Sequence, residues 1–147
     1  MYKRQDEGAD YYLVPFRKLV NGKSLVSAVV ILDASAGYFK EASWTDEPDS
    51  ELLKVDQKDA LRLVRNRITK DLYEEFKAIP KKPAKAYLLR RIELLRRYNL
   101  LLTGIKDAEA VLAWKPSSYS PSPYRPYWKV AINGRIWYVT QDMKVLS

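Results

Sequence analysis

The chain has 147 residues, 47% of them hydrophobic and 12% aromatic, and 26 basic against 18 acidic side chains give a net charge of +8. That length suits one domain, and that apolar content suits a packed core rather than a disordered chain. With no cysteine and no histidine, disulfides, thiolate nucleophiles, zinc held by nitrogen or sulfur, and histidine general bases are excluded.

No apolar run approaches the ~18–20 residues of a membrane span, and the opening "MYKRQDEGAD" lacks the apolar segment of a signal peptide. A soluble chain is expected, with a cytoplasmic location favoured. No Gly-rich phosphate loop and no EF-hand-like acidic cluster is present, so no cofactor and no metal is expected.

Taken in chain order, residues 11–20, "YYLVPFRKLV", read as a strand in which Pro15 marks an edge position or a bulge. Asn21-Gly22 is a hairpin signal, because both central residues of a type I′ turn need positive φ. Residues 25–33 form a second, more buried strand, 33–37 a turn with Gly37 free to be left-handed, and "YFKEASW" a third strand. Residues 45–56 are acidic and turn-rich, and Asp56 suits the N-cap of the next element.

Leu61, Val64, Ile68, Leu72, Phe76 and Ile79 recur at helical spacing and predict a helix over 57–79. "PKKP" ends it, and a second helix follows over 84–102. Its core face is expected at Leu88, Ile92, Leu95 and Leu102, widened by Tyr87, Leu94 and Tyr98, with Gly104 as its stop. Arg91 falls inside that arc, where it can snorkel. A short strand over 110–114 precedes the stretch "PSSYSPSPYRPYW", whose aromatics argue for an ordered crossover anchored by Tyr119 and Tyr124. The loose PxxP in it is weak evidence for a ligand motif. The chain closes with a strand, an Asn133-Gly134 turn, a strand, a turn at Asp142 and a short last strand. The sum is an α+β fold: one antiparallel sheet of about five to six strands on two helices. The ends, 11–44 and 110–147, are alike enough to be degenerate hairpin repeats flanking the helical pair.

"YYLVPF…AVVILDASAGYF" and "PYWKVAINGRIWYVTQDMKV" resemble the hairpins of PepSY-type modules: an aromatic-rich strand, a turn, a Val-rich strand, then an Asp turn. Met143 stands where the pattern has glycine. The resemblance, which covers the terminal hairpins and none of the helical middle, implies a small cystatin-like α+β unit. It also implies a non-enzymatic role such as modulating a peptidase.

Three functions compete. The first is a non-catalytic module that binds or regulates a protein or peptide, with Tyr12, Trp44, Trp128, Trp137 and Tyr138 as candidates for an exposed aromatic patch. The second is nucleic-acid binding through the basic run of the second helix, at Lys81, Lys82, Lys85, Arg90, Arg96 and Arg97. No base-reading signature accompanies these residues. The third is an enzyme built on a carboxylate pair, Asp33 with Glu41 or Asp142, which nothing in the spacing favours. The segment 41–59 holds seven acids and two bases, and 81–97 seven bases and one acid. Those two segments could pair within one chain or between copies of a homo-oligomer.

Overall fold

The computed structural model describes residues 2–4, 10–114, 117–118, 122 and 124–147. The fold is α+β: two helices and two antiparallel sheets. β1 (Tyr2–Arg4), β2 (Tyr11–Val20), β3 (Lys23–Asp33) and β4 (Phe39–Asp49) form the first sheet, in that order. α1 (Gln57–Ala78) and α2 (Ala84–Gly104) follow. β5 (Ala110–Ala113), β6 (Tyr127–Ile132), β7 (Arg135–Val139) and β8 (Val145–Leu146) form the second sheet, also in chain order.

The expectation of one sheet of five to six strands is therefore corrected to two sheets of four. Every strand pairs with its neighbour in sequence, hairpin after hairpin, and β4 and β5, on either side of the helices, do not pair. Residues 45–49, expected as turn, continue β4.

Local chemistry explains the turns. Asn21 and Gly22 have φ of 50° and 76°, and Asn133 and Gly134 have 49° and 79°, as a type I′ hairpin requires. Asp33 organises the next turn. Its carboxylate accepts from the Ser35 and Ala36 backbone N–H groups at 2.9 and 3.0 Å and from the Ser35 hydroxyl, and Lys40 lies 3.3 Å away. These bonds, the Ser35 hydroxyl first, hold its pKa at about 2. Pro15 lies in β2 beyond the Tyr11–Leu13 stretch that β1 pairs, one residue before a bulge at Phe16/Arg17. An edge position with a bulge beside it is where proline is tolerated.

Asp56 caps α1 by accepting from the Asp59 N–H at 2.7 Å. Ala60, Val64 and Ile68 of α1 are buried against the second sheet, in a core with Val130, Ile132, Trp137 and Val139. α2 contributes Leu94, Tyr98, Leu101 and Ile105, so its expected core face is corrected: Leu88, Ile92 and Leu95 are exposed. Apolar residues occupy two arcs of this helix about 100° apart. Polar contacts select one of them. The Tyr98 hydroxyl donates to Glu75 of α1, Arg97 pairs with Glu75, and Arg91 lies 5.3 Å from the rings of both Phe76 and Tyr87. Burial, then the Glu75 bond, pushes the Tyr98 phenol up to about 12. Gly104 is the last residue of α2 and does not take a left-handed φ. A Cβ there would lie 2.8 Å from the Ile132 side chain, so glycine admits the helix end to β6.

A second core, of Tyr11, Leu13, Val26, Val29, Ile31, Leu53 and Leu112, lies under the inner face of the first sheet. Trp128 packs on both cores. Its indole N–H donates to the Val55 carbonyl at 2.7 Å, and the Val55 N–H donates to Gln141 at 3.1 Å. The linker into α1 is thus fastened to the second sheet, which joins the two halves. In the Ser-Pro crossover, Tyr124 packs on the second core and Pro126 is fully buried. Tyr119 lies outside the described residues.

Candidate functional site

Directly paired residues of adjacent strands point to the same face of a sheet. In the first sheet, Tyr11, Leu13, Val29 and Ile31 point inward to the core. The alternate residues form three rows on the opposite, outer face: Tyr12, Leu32 and Phe39; Val14, Val30 and Ala42; Phe16, Ala28 and Trp44. All three rows are apolar. Among the described residues, neither helix makes an extensive contact with this sheet. Phe16 is 53% exposed, Phe39 65% and Trp44 77%. A contiguous apolar face of this kind marks an interaction surface far more often than scattered exposed side chains do.

Two of the five residues expected in an aromatic patch, Tyr12 and Trp44, share this face. The other three are in the second half and the patch is corrected accordingly. Trp137 is 1% exposed and belongs to the core, facing α1. Trp128 is half-buried at the junction and its N–H is already bonded. Tyr138 is half-buried on the far face of the second sheet, edge-to-face with Tyr127 at 5.1 Å. The residues missed were Val14, Phe16, Ala28, Val30, Leu32, Phe39 and Ala42. One signal could have found those on β2 and β3: "YYLVPF" and "AVVIL" are apolar at every position, so both faces of these strands are apolar, whereas nothing of the kind marks Phe39 and Ala42 of β4.

The edge strand β4 is acidic, but its acids do not form one rim of this face: Glu41 pairs with inward-facing Ile31, while Lys18 pairs with Leu25 on the outer side beyond the Phe16 row. Glu41, Asp46 and Glu47 are exposed and make no ion pair among the described residues, whereas Asp49 pairs with Lys54. Burial, then the charge of Glu41, raises the Tyr124 phenol on the inner side of the sheet.

The basic run is on the surface of α2 and its approach. Lys81, Lys82, Lys85, Arg90, Arg96 and Arg97 are all exposed. They do not form one cationic face. Arg97 is held by Glu75, and a depression between the helices places Glu75 and Glu93 beside Arg90, Arg96 and Arg97. Lys85 neighbours Leu88, and Arg96, which also lines that depression, neighbours Ile92, so both border the exposed apolar stripe of Leu88, Ile92 and Leu95 on one side. Of the carboxylates weighed for catalysis, Asp33 is committed to its turn. Among the described residues, no helix is long and apolar enough to cross a membrane.

No family model, no curated protein and no solved structure matches this chain.

Proposed function

We propose that the chain is a non-catalytic protein-binding module and that the outer face of the first sheet is its binding surface. The observation that carries this reading is the three apolar rows from Tyr12 to Trp44, over which neither helix packs extensively among the described residues. Burying such a face contributes about 25 cal/mol per Å² of apolar area, and exposed aromatics supply most of that area. Phe16, Phe39 and Trp44 are the anchors, and Val14, Val30 and Ala42 form the floor between them. The non-catalytic part of the reading rests on a chain without cysteine or histidine. The PepSY-like character of the hairpins belongs to the same proposal, with a protein or peptide as the bound partner.

Nucleic-acid binding has less support. The side chains interleaved with Lys85 and Arg96 are leucine and isoleucine, not stacking aromatics, and Arg97 already has a carboxylate.

A photo-crosslinking side chain placed at Phe39 tests the proposal. It should form a discrete protein adduct that excess unlabelled wild type competes away and excess Trp44→Glu does not. Equal competition by both proteins would refute it.

A further inference from the structure

α2 turns Leu94, Tyr98 and Leu101 inward, to α1 and the core of the second sheet, and nothing among the described residues packs extensively over its opposite side. That outward side carries five exposed aliphatic side chains, Leu88, Leu89, Ile92, Leu95 and Leu100. We infer that it lies flat on an anionic lipid surface. The aliphatic side chains enter the headgroup layer, and the lysines and arginine among them meet lipid phosphates. This site is separate from the outer face of the first sheet and does not depend on the reading of that face.

Charge selects the partner. Residues 57–104, the two helices and their link, hold 13 basic and 5 acidic side chains, so they carry the whole net charge of +8. The rest of the chain holds 13 of each sign. Glu93 is the single acid of α2. Lys81, Lys82, Lys85 and Arg96 are exposed and make no ion pair among the described residues. At 3.6 residues per turn, Lys85 and Arg96 fall between Leu88, Ile92 and Leu95 on one side and Leu89 and Leu100 on the other.

This mixture of aliphatic and cationic side chains separates the candidate partners. A nucleic-acid backbone would take the cations and leave five aliphatic side chains in water, and no aromatic stands among them to stack on a base. A second copy of the same helix would set Lys85 and Arg96 against their own equivalents, with like charges opposed. An anionic lipid surface accepts both kinds of side chain at once. The hydrocarbon stems of lysine and arginine lie along the aliphatic strips while their charged ends reach the phosphates. From Leu88 to Leu100 the exposed aliphatics run about 18 Å along the helix. That is long enough to lie in the interface and well short of the ~30 Å of hydrocarbon a spanning helix crosses.

Vesicle co-sedimentation with the full chain tests this, with phosphatidylcholine vesicles that contain either no phosphatidylserine or roughly one-third of it. Wild type should bind the phosphatidylserine vesicles, bind phosphatidylcholine alone at least about fivefold more weakly, and bind less as salt rises from about 50 to 200 mM. Leu88→Ser/Ile92→Ser changes side chains that are 56% and 62% exposed, so the variant should fold, as circular dichroism can verify. It should lose at least about tenfold in affinity for the phosphatidylserine vesicles. Lys85→Gln/Arg96→Gln should lose about fivefold for each charge removed. Folded wild type that does not bind the phosphatidylserine vesicles, or that binds them no better than Leu88→Ser/Ile92→Ser does, overturns the inference. Single-stranded RNA or duplex DNA bound equally by wild type and by Leu88→Ser/Ile92→Ser, with no vesicle binding by either, would overturn it in favour of nucleic acid.

Discussion

Phe16 and Trp44 stand on either side of Ala28, in one row across three strands of the first sheet. Both aromatic rings are more than half exposed, and the alanine between them leaves the floor of the row shallow. In the second sheet the corresponding arrangement is closed: Trp137 pairs with Val130 and is buried beneath α1. The two sheets thus use aromatics in opposite ways, one to build a core and the other to build a surface.

This contrast predicts opposite responses to mutation. Trp137→Ala should destabilise the fold by about 3–5 kcal/mol. Phe16→Ser and Trp44→Ser should each change stability by no more than about 0.5 kcal/mol. Chemical denaturation of the three variants checks the ordering.

The junction gives a second expectation. Trp128→Phe keeps most of the packing but leaves the buried Val55 carbonyl without its indole donor. A cost of about 1–3 kcal/mol is expected, against a smaller loss for Tyr127→Phe on the far face of the same sheet. Thermal or urea unfolding would read both.

Gly104→Ala runs against helix propensity. In an open helix the change would stabilise by about 1 kcal/mol. Here the new Cβ would meet the Ile132 side chain at 2.8 Å, on a β-branched residue that is itself buried. A loss of about 1–3 kcal/mol is expected. Met143 offers the converse. Its φ of 63° puts a 62%-exposed side chain in left-handed backbone, so Met143→Gly should stabilise by about 1 kcal/mol. Denaturation midpoints of the pair decide both signs.

The Asp33 turn is expected to respond to acid. Its folded pKa of about 2 lies below the ordinary 3.8. The stabilisation is therefore complete above pH 3.8 and is lost as the pH falls through about 2. The midpoint difference between wild type and Asp33→Ala, measured by thermal melts from neutral pH to pH 2, should shrink across that window and nowhere above it.

The local elements were legible because their signals are local. The Asn-Gly dipeptides specify turns through φ, Asp56 specifies a helix start through its side chain, and the α1 stripe has one dominant arc. Three features were not legible. The split into two sheets depends on which strands pair across the helical middle, and pattern within a strand does not encode that. The rotation of α2 was decided by Glu75 and Gly104, partners distant in sequence from the residues they orient, so its richer apolar arc faces outward. The outer face of the first sheet was not legible because a strand apolar on both sides does not say which side is left uncovered. Tyr12 and Trp44 were identified as candidates, but the hydrophobic floor that joins them was not.

The most direct test of the central claim is the association constant between this chain and the protein captured at Phe39, a second copy included. Titration calorimetry should compare wild type with the Phe16→Ser/Trp44→Ser double variant. Removing two central aromatic anchors should cost at least about 30-fold in affinity, with the unfolding midpoint unchanged. Equal affinity for wild type and the folded double variant would contradict the assignment of the outer sheet face as the binding surface.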